Sequence, residues 1–364
     1  IRNHLAMTRL AFKKDLHDSA MVSRFAENVM SKRRLDLLLL LTHADLLAVG
    51  PTAMNSWRKM LLEELYYRTM DVLGGAGPEG EDLADWVGQI KAFIRELVPS
   101  KHQGAPLEKF LEAAGSRYFL DFYPGVIVEH YVDLRDFLVS RNQDTLKLTE
   151  VIARKSDHHR PPGYSAITLI IRDRQGIFYR IAGTMSANRI NILSAWSHSI
   201  GNIAIGTFHV NDFPEGPLDD PERWEKFQSD FSRVIAGDAD VDELVAARRR
   251  SRTAFATSSR PRFPLKVEID NAASDRATIV EVYAHDRPGL LYDITRCLSS
   301  LDLDIVLTKI TTEVDQAADI FYVHDNHGNK ILDVDHLNRI RVTLRDHLVA
   351  MEREYFDNGK GAPL

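Results

Sequence analysis

The stretch DRPGLLYDI, Asp286 to Ile294, decides the fold. It follows TIVEVYAH, whose alternation reads as a strand, and leads into YDITRCLSSL, which reads as a helix. A near-copy, DRQGIFYRI, stands at Asp173 to Ile181. Aspartate on aspartate, the offset is 286 − 173 = 113 residues. The same offset pairs Arg174 with Arg287, Gly176 with Gly289, Tyr179 with Tyr292, Ile192 with Ile305, Phe208 with Phe321 and Asp212 with Asp325. No gap is needed from Ile167 to Asp212, so one supersecondary unit is present twice.

Around each corner the order repeats: strand, strand, helix, strand, strand, helix. The first copy reads LKLTEVIAR, SAITLIIRD, FYRIAGTMSAN, INILSAWSHSI, NIAIGTFHVND and DPERWEKFQSDFSRVIAGD, with Gly201-Asn202 as a hairpin turn. The second reads LKVEIDN, RATIVEVYAHD, GLLYDITRCLSSL, DIVLTKITTEV, AADIFYVHDN and VDHLNRIRVTLRDHLVAMEREYF. The leading strands repeat at a different spacing, so LKVEIDN could complete either sheet. Between the copies, RRRSRTAFATSSRPRFP at 248–264 is basic, hydroxyl-rich and contains prolines, and reads as a linker rather than a nucleic-acid arm. Residues 1 to about 142 read as all helix. RLDLLLLLTHADLLAV ends at Gly50-Pro51, and three further amphipathic segments follow.

Bulk properties exclude several classes. The chain has 364 residues and a net charge of −6, which gives no reason to expect nucleic acid or an anionic membrane. No apolar run reaches membrane-spanning length. The one cysteine, Cys297, cannot form an internal disulfide, reads as a small buried hydrophobe, and points to a reducing cytoplasmic setting. The chain opens on IRNHL, without methionine, and reads as a fragment.

The corner chemistry suggests a ligand seat. A glycine where strand turns into helix permits unusual φ and close approach of another group. The first helical N–H groups behind it lack intrahelical partners and suit a carboxylate. Asp173 and Asp286 are expected to cap the turns, and Pro288 suits the first helical positions. Asn191 and Asp304, which open the next strand of each copy, are expected near the corner, where they could hold the other end of a small amino acid. The candidate seats are therefore Asp173, Gly176, Ile177 and Asn191 in one copy, and Asp286, Gly289, Leu290 and Asp304 in the other. The plainer alternative is that the glycines only make tight turns.

DRQGIF and DRPGLL, each followed by a helix, NI or DI and a hairpin, resemble paired ACT domains, which are regulatory modules that bind amino acids. NHLAMTRLAFKKDLHD, LLLLLTHADLLAVGP and NSWRKMLLEELY, together with the tandem copies, resemble the C-terminal part of the bifunctional uridylyltransferase/uridylyl-removing enzymes of the nitrogen-regulatory PII protein. The resemblance implies an α+β chain: an all-helical HD-type remnant followed by two ferredoxin-like ACT sandwiches with antiparallel sheets. It implies residues 1–144 as the HD tail with connecting helices, 145–250 as the first ACT domain, 251–263 as linker and 264–364 as the second.

It also implies glutamine as effector at the ACT corners, PII as partner, UTP as substrate of the whole enzyme, and a divalent metal, Mg or Mn, in the HD domain. The TxAD pattern makes Asp45 the counterpart of a metal-ligand aspartate, and His4 that of a histidine near the site. His17, His43, His158 and His159 read as solvated or structural. The fragment lacks a transferase motif and the paired His-Asp, so no catalytic residue and no activity of its own are expected. Homo-oligomers through ACT edges are a further implication. The competing reading is a non-enzymatic sensor or scaffold with a helical domain and tandem ACT modules.

Overall fold

The computed structural model describes residues 4–14, 16, 19–49, 56–74, 83–122, 124–139, 147–153, 164–212, 217–218, 220–250, 264–272, 274, 276–313 and 316–358. By internal contacts the chain divides into two units. One holds residues 1–143 and the hairpin tip 198–205, and the other holds the rest of the sheet and its helices.

The first unit is helical. Helices α1 (His4–Lys13), α2 (Ser19–Val29), α3 (Lys32–Val49) and α4 (Ser56–Leu73) pack on one another. Met7, Phe25, Leu35, Leu62 and Leu65 form their buried centre. Helices α5 (Leu83–Leu97), α6 (Ala105–Ala113), α7 (Ser116–Asp121) and α8 (Pro124–Val139) form a second group around Ile94, Phe110, Phe119, Ile127 and Phe137. The run Leu37–Leu41 is split by helical geometry. Leu38 turns inward, while Leu37 and Leu40 stay exposed.

A polar knot sits inside this unit. The hydroxyl of Tyr118 lies 2.9 Å from Nδ1 of His130, and both residues are buried. Burial pushes the His130 imidazole down to about 3, so it is neutral. Asp121 accepts from Nε of Arg117 with both oxygens, at 2.7 and 2.9 Å, and one of them also lies 2.9 Å from Nε2 of His198.

The second unit carries the duplication. β1 (Lys147–Ala153), β2 (Ser165–Arg172), α9 (Ile177–Ala187), β3 (Ile190–Ile200), β4 (Ile203–Asp212), α10 (Pro221–Ala236) and α11 (Val241–Arg250) form the first copy. β5 (Lys266–Asp270), β6 (Thr278–His285), α12 (Leu290–Ser300), β7 (Leu303–Glu313), β8 (Gln316–Asp325) and α13 (Val334–Asn358) form the second. Adding 113 to the bounds of β2, α9, β3 and β4 gives the bounds of β6, α12, β7 and β8. Even the positive φ of Arg189 (61°) recurs at Asp302 (58°).

All eight strands join one sheet in the order β1-β2-β4-β3-β7-β8-β6-β5. The seam between copies is the antiparallel pair β3–β7, with Ser194 opposite Lys309, Ala195 opposite Thr308 and Trp196 opposite Leu307. Ala195 and Thr308 are equivalent under the offset of 113, so a local two-fold axis passes between them. The leading strands resolve plainly: β1 pairs with β2 and β5 with β6, so each serves its own copy and fills an outer edge. The two expected sandwiches thus share a single continuous sheet.

One boundary differs from expectation. Arg248, Arg249 and Arg250 do not open the linker. They form the last turn of α11, a helix the sequence patterning did not reveal. Val241 and Val245 of α11 are buried with Val234 and Tyr292, and α11 packs on α9. Asp242, in its first turn, accepts hydrogen bonds from the Tyr292 hydroxyl and from Arg296.

Candidate functional site

Each corner is a left-handed glycine opening a helix. Gly176 has φ 76° and ψ 14°, and Gly289 has φ 81° and ψ 11°. A side chain would be strained at either position. The N-cap glycines offer no side-chain cap, and the Asp286 carboxyl takes a hydrogen bond from the backbone of Arg287 at its turn. Both aspartates are exposed, while Ile177 and Leu290 turn inward. The N–H of Ile177 bonds to the Arg174 carbonyl at 3.2 Å, and that of Leu290 to the Arg287 carbonyl at 3.0 Å. Pro288 precedes the N-terminal glycine rather than entering the helix.

The partners of the corners are crossed between copies. Side-by-side pairing through β3 and β7 brings the head of β7 to the first corner. Nε2 of Gln175 donates to Oδ1 of Asp302 at 2.9 Å. Desolvation, then repulsion from Asp173, raises the Asp304 carboxyl above its usual range. Asp304 therefore accompanies Asp173 and Gly176 rather than its own copy's Gly289. Asn191 heads β3 and donates to the side chain of Asn211 at 2.9 Å.

Each corner also carries a guanidinium that sequence reasoning missed. At the first, Nη1 of Arg180 donates to the carbonyl of Gln175 at 3.1 Å, and its guanidinium lies 4.8 Å from the Tyr179 ring. At the second, Nε of Arg249 donates to the carbonyl of Pro288 at 3.2 Å. Gln175 and Pro288 are equivalent under the offset of 113, and so are Arg180 and Asp293. Where the first copy has an arginine, the second has a buried aspartate that recruits two. Oδ2 of Asp293 lies 2.7 Å from Nη2 of Arg249 and 2.6 Å from Nη1 of Arg287. Burial lowers the Arg287 pKa and the Asp293 charge works against that.

Of the two metal candidates, the structure describes the side chain of Asp45 alone. Asp45 is exposed on α3, and the side chain of His4 lies outside the described residues, as do His17, His158 and His159. Nδ1 of His43 lies 3.3 Å from the Leu39 carbonyl one helical turn back. Among the described residues no three His, Cys, Asp or Glu side chains gather as a metal site would require. These residues do not by themselves fit a divalent ion.

Comparison with known proteins bears on the same corners. Residues 266–353, which include the second corner, match the family described as ACR9-like, ACT-like domain. The chain is 32% identical over 348 residues to a bifunctional uridylyltransferase/uridylyl-removing enzyme of Gluconobacter oxydans, covering 94% of this chain and 35% of that protein. It matches one part of such an enzyme. The counterpart from Azospirillum brasilense is 34% identical over 350 residues, and that from Rhodospirillum rubrum 32% over 345. The chain spans about a third of the length of these bifunctional relatives. A solved aspartate kinase from Synechocystis covers 56% of this chain and 30% of its own at 13% identity and a TM-score of 0.27, too distant to bear on the fold. No helix among the described residues is long and apolar enough to cross a membrane.

Proposed function

We propose that the chain is the C-terminal part of a bifunctional enzyme that adds UMP to, and removes it from, the PII signalling protein in the cytoplasm. On this reading residues 1–144 are the tail of an HD phosphohydrolase domain with connecting helices. Residues 145–250 and 264–364 are two ACT domains joined by 251–263. UTP and a divalent ion, Mg or Mn, serve the whole enzyme, and the ion needs ligands beyond those described. The observation that carries the reading is the similarity over 94% of the chain at 32–34% identity to three enzymes of that name.

The ACT pair is proposed to sense glutamine. An amino acid offers a carboxylate and an ammonium a few ångströms apart. The N-terminal amides of α9 suit the former and Asp304 the latter, and they belong to different copies. A ligand held between them ties α9 of one copy to β7 of the other. It favours whichever arrangement brings those elements closest, and that differential affinity biases transfer against removal.

Calorimetric titration of glutamine into the purified chain, with glutamate and asparagine as controls, tests this. Saturable binding selective for glutamine, and weakened in Asp304→Ala, is expected. An absence of saturable heat at millimolar glutamine would overturn the sensing part.

A further inference from the structure

The two corners are related by sequence yet differ in what occupies them. Above Gly289, a Cβ would meet Nη2 of Arg249 at 2.7 Å and Cγ1 of Val245 at 2.9 Å. Both belong to α11. Nη2 of Arg249 also donates to the Gly289 carbonyl at 3.2 Å. The guanidinium therefore bonds two successive carbonyls and a buried carboxylate, on a helix anchored by Val241, Val245 and the Asp242 contacts. Gly289, Leu290, Tyr292 and Asp293 are all buried beneath it.

The atoms nearest a Cβ on Gly176 belong to the ring of Tyr179 and the guanidinium of Arg180, side chains of the same helix rather than of another element. Arg180 is half-buried and bonds one carbonyl there.

Charge differs in the same sense. The first corner has Asp173, Asp302 and Asp304 near one another, so it can accept an ammonium. At the second, Arg249 and Arg287 both pair with the buried carboxylate of Asp293, and the charges of Asp286 and Glu352 also act on Arg287. Arg248 lies close enough to Arg189 to feel its charge. An ammonium brought there would meet the two guanidiniums that already hold the Asp293 carboxylate.

We propose that Arg249 closes the second corner as a tethered internal occupant. The first corner is then the working seat, and Arg180 receives the ligand's carboxylate through a charge-assisted hydrogen bond. The inference rests on the amino-acid reading of the corners and adds which of them is open.

Two measurements on the chain test it separately: glutamine stoichiometry by calorimetry, and hydrogen exchange of residues 289–293 without ligand. Wild type is expected to bind one glutamine per chain. Arg180→Ala should weaken that binding by about tenfold or more, the scale of one charge-assisted hydrogen bond. Arg249→Ala should open a second seat and speed exchange across 289–293 by about tenfold or more, since the cover is gone. Arg249→Lys, which keeps the charge but not the fork, should fall between.

Two glutamines per wild-type chain, or unchanged stoichiometry and exchange in Arg249→Ala, would overturn the closure. Undiminished affinity in Arg180→Ala would overturn the role of Arg180. Faster exchange in Arg249→Ala with no glutamine bound by any variant would support the closure and overturn the amino-acid reading.

Discussion

Replacing Asp293 with alanine should destabilise the second copy by about 3–5 kcal/mol, the usual cost of stripping one partner from a buried ion pair. The side chains of Asp293 and Arg287 are 4% and 2% exposed, with Nη1 and Oδ2 2.6 Å apart. Without the carboxylate, Arg287 is left charged in a place that already lowers its pKa through burial. Its Nη2 atom is buried without a hydrogen-bond partner even in the native protein, which leaves the Tyr355 ring 5.9 Å away and the Glu352 charge as partial compensation. Arg249, at 27% exposure, adds at most about 1 kcal/mol, because water can replace its lost contact. The double replacement Arg287→Met with Asp293→Leu should recover to within about 1 kcal/mol of wild type, since neither charge is then buried.

Cys297 is the assay. It is buried on α12, the helix that carries Asp293, and it is the one thiol in the chain. Labelling rates against urea concentration report the opening of that copy directly. All four tryptophans, Trp57, Trp86, Trp196 and Trp224, lie outside it. A loss below about 1 kcal/mol in Asp293→Ala, or a double variant as unstable as the single, would refute the assignment of a buried, mutually dependent pair.

Gly289→Ala should cost about 1–3 kcal/mol, from the left-handed backbone plus crowding by Val245 and Arg249 of another helix, whereas Gly176→Ala should cost about 1, since the nearest atoms belong to Tyr179 and Arg180 of its own helix, which can swing away; urea titrations compare them. Burial lifts the Cys297 thiol to about 11 and also shields it, so at pH 8 its labelling in the native protein should be at least about 100-fold slower than in urea. His130 falls from 6.5 to about 3 on folding, so its contribution is complete above pH 6.5 and is lost as pH drops towards 3, with a limiting size of about 5 kcal/mol at 1.36 per unit. His130→Gln should flatten the pH dependence of stability across that window. The raised Asp304 carboxyl disfavours the folded state at neutral pH and ceases to do so once protonated in acid. NMR titration should find it above 3.8, and Asp173→Asn should bring it down.

The duplication was fully legible because offset and periodicity are properties of the chain itself: every element from β2 to β4 maps onto β6 to β8 without adjustment. The corner glycines were legible for the same reason, since a strand-to-helix turn needs φ > 0 and a sequence of one residue type meets it best. The crossing of Asp304 to the first corner was not. It depends on β3 pairing with β7, a long-range choice that no local pattern encodes. Helix α11 was hidden because VDELVAARRR has only Val241 and Val245 to bury, and its basic end merges with the basic linker. Arg180 and Asp293 do leave a trace, as the one charge reversal beside the shared DRxG and tyrosine, but its meaning depends on Arg249 arriving from another element. The long leucine run Leu37–Leu41 does not make α3 a buried helix, because helical geometry turns only one stripe inward.

The fused sheet has a consequence for how the chain is made. Ser194 pairs with Lys309, 115 residues later, so the β3 edge of the first copy stays open until β7 has been synthesised. At ribosomal rates of about 5–20 residues per second that interval is roughly 6–23 s. Through that time the nascent chain exposes the open edge of a strand that carries Ile192, Ala195 and Trp196, the kind of edge that recruits other chains. Closure comes only when the second copy supplies its own strand, so the duplication that makes the pair of corners also protects the first half from aggregation.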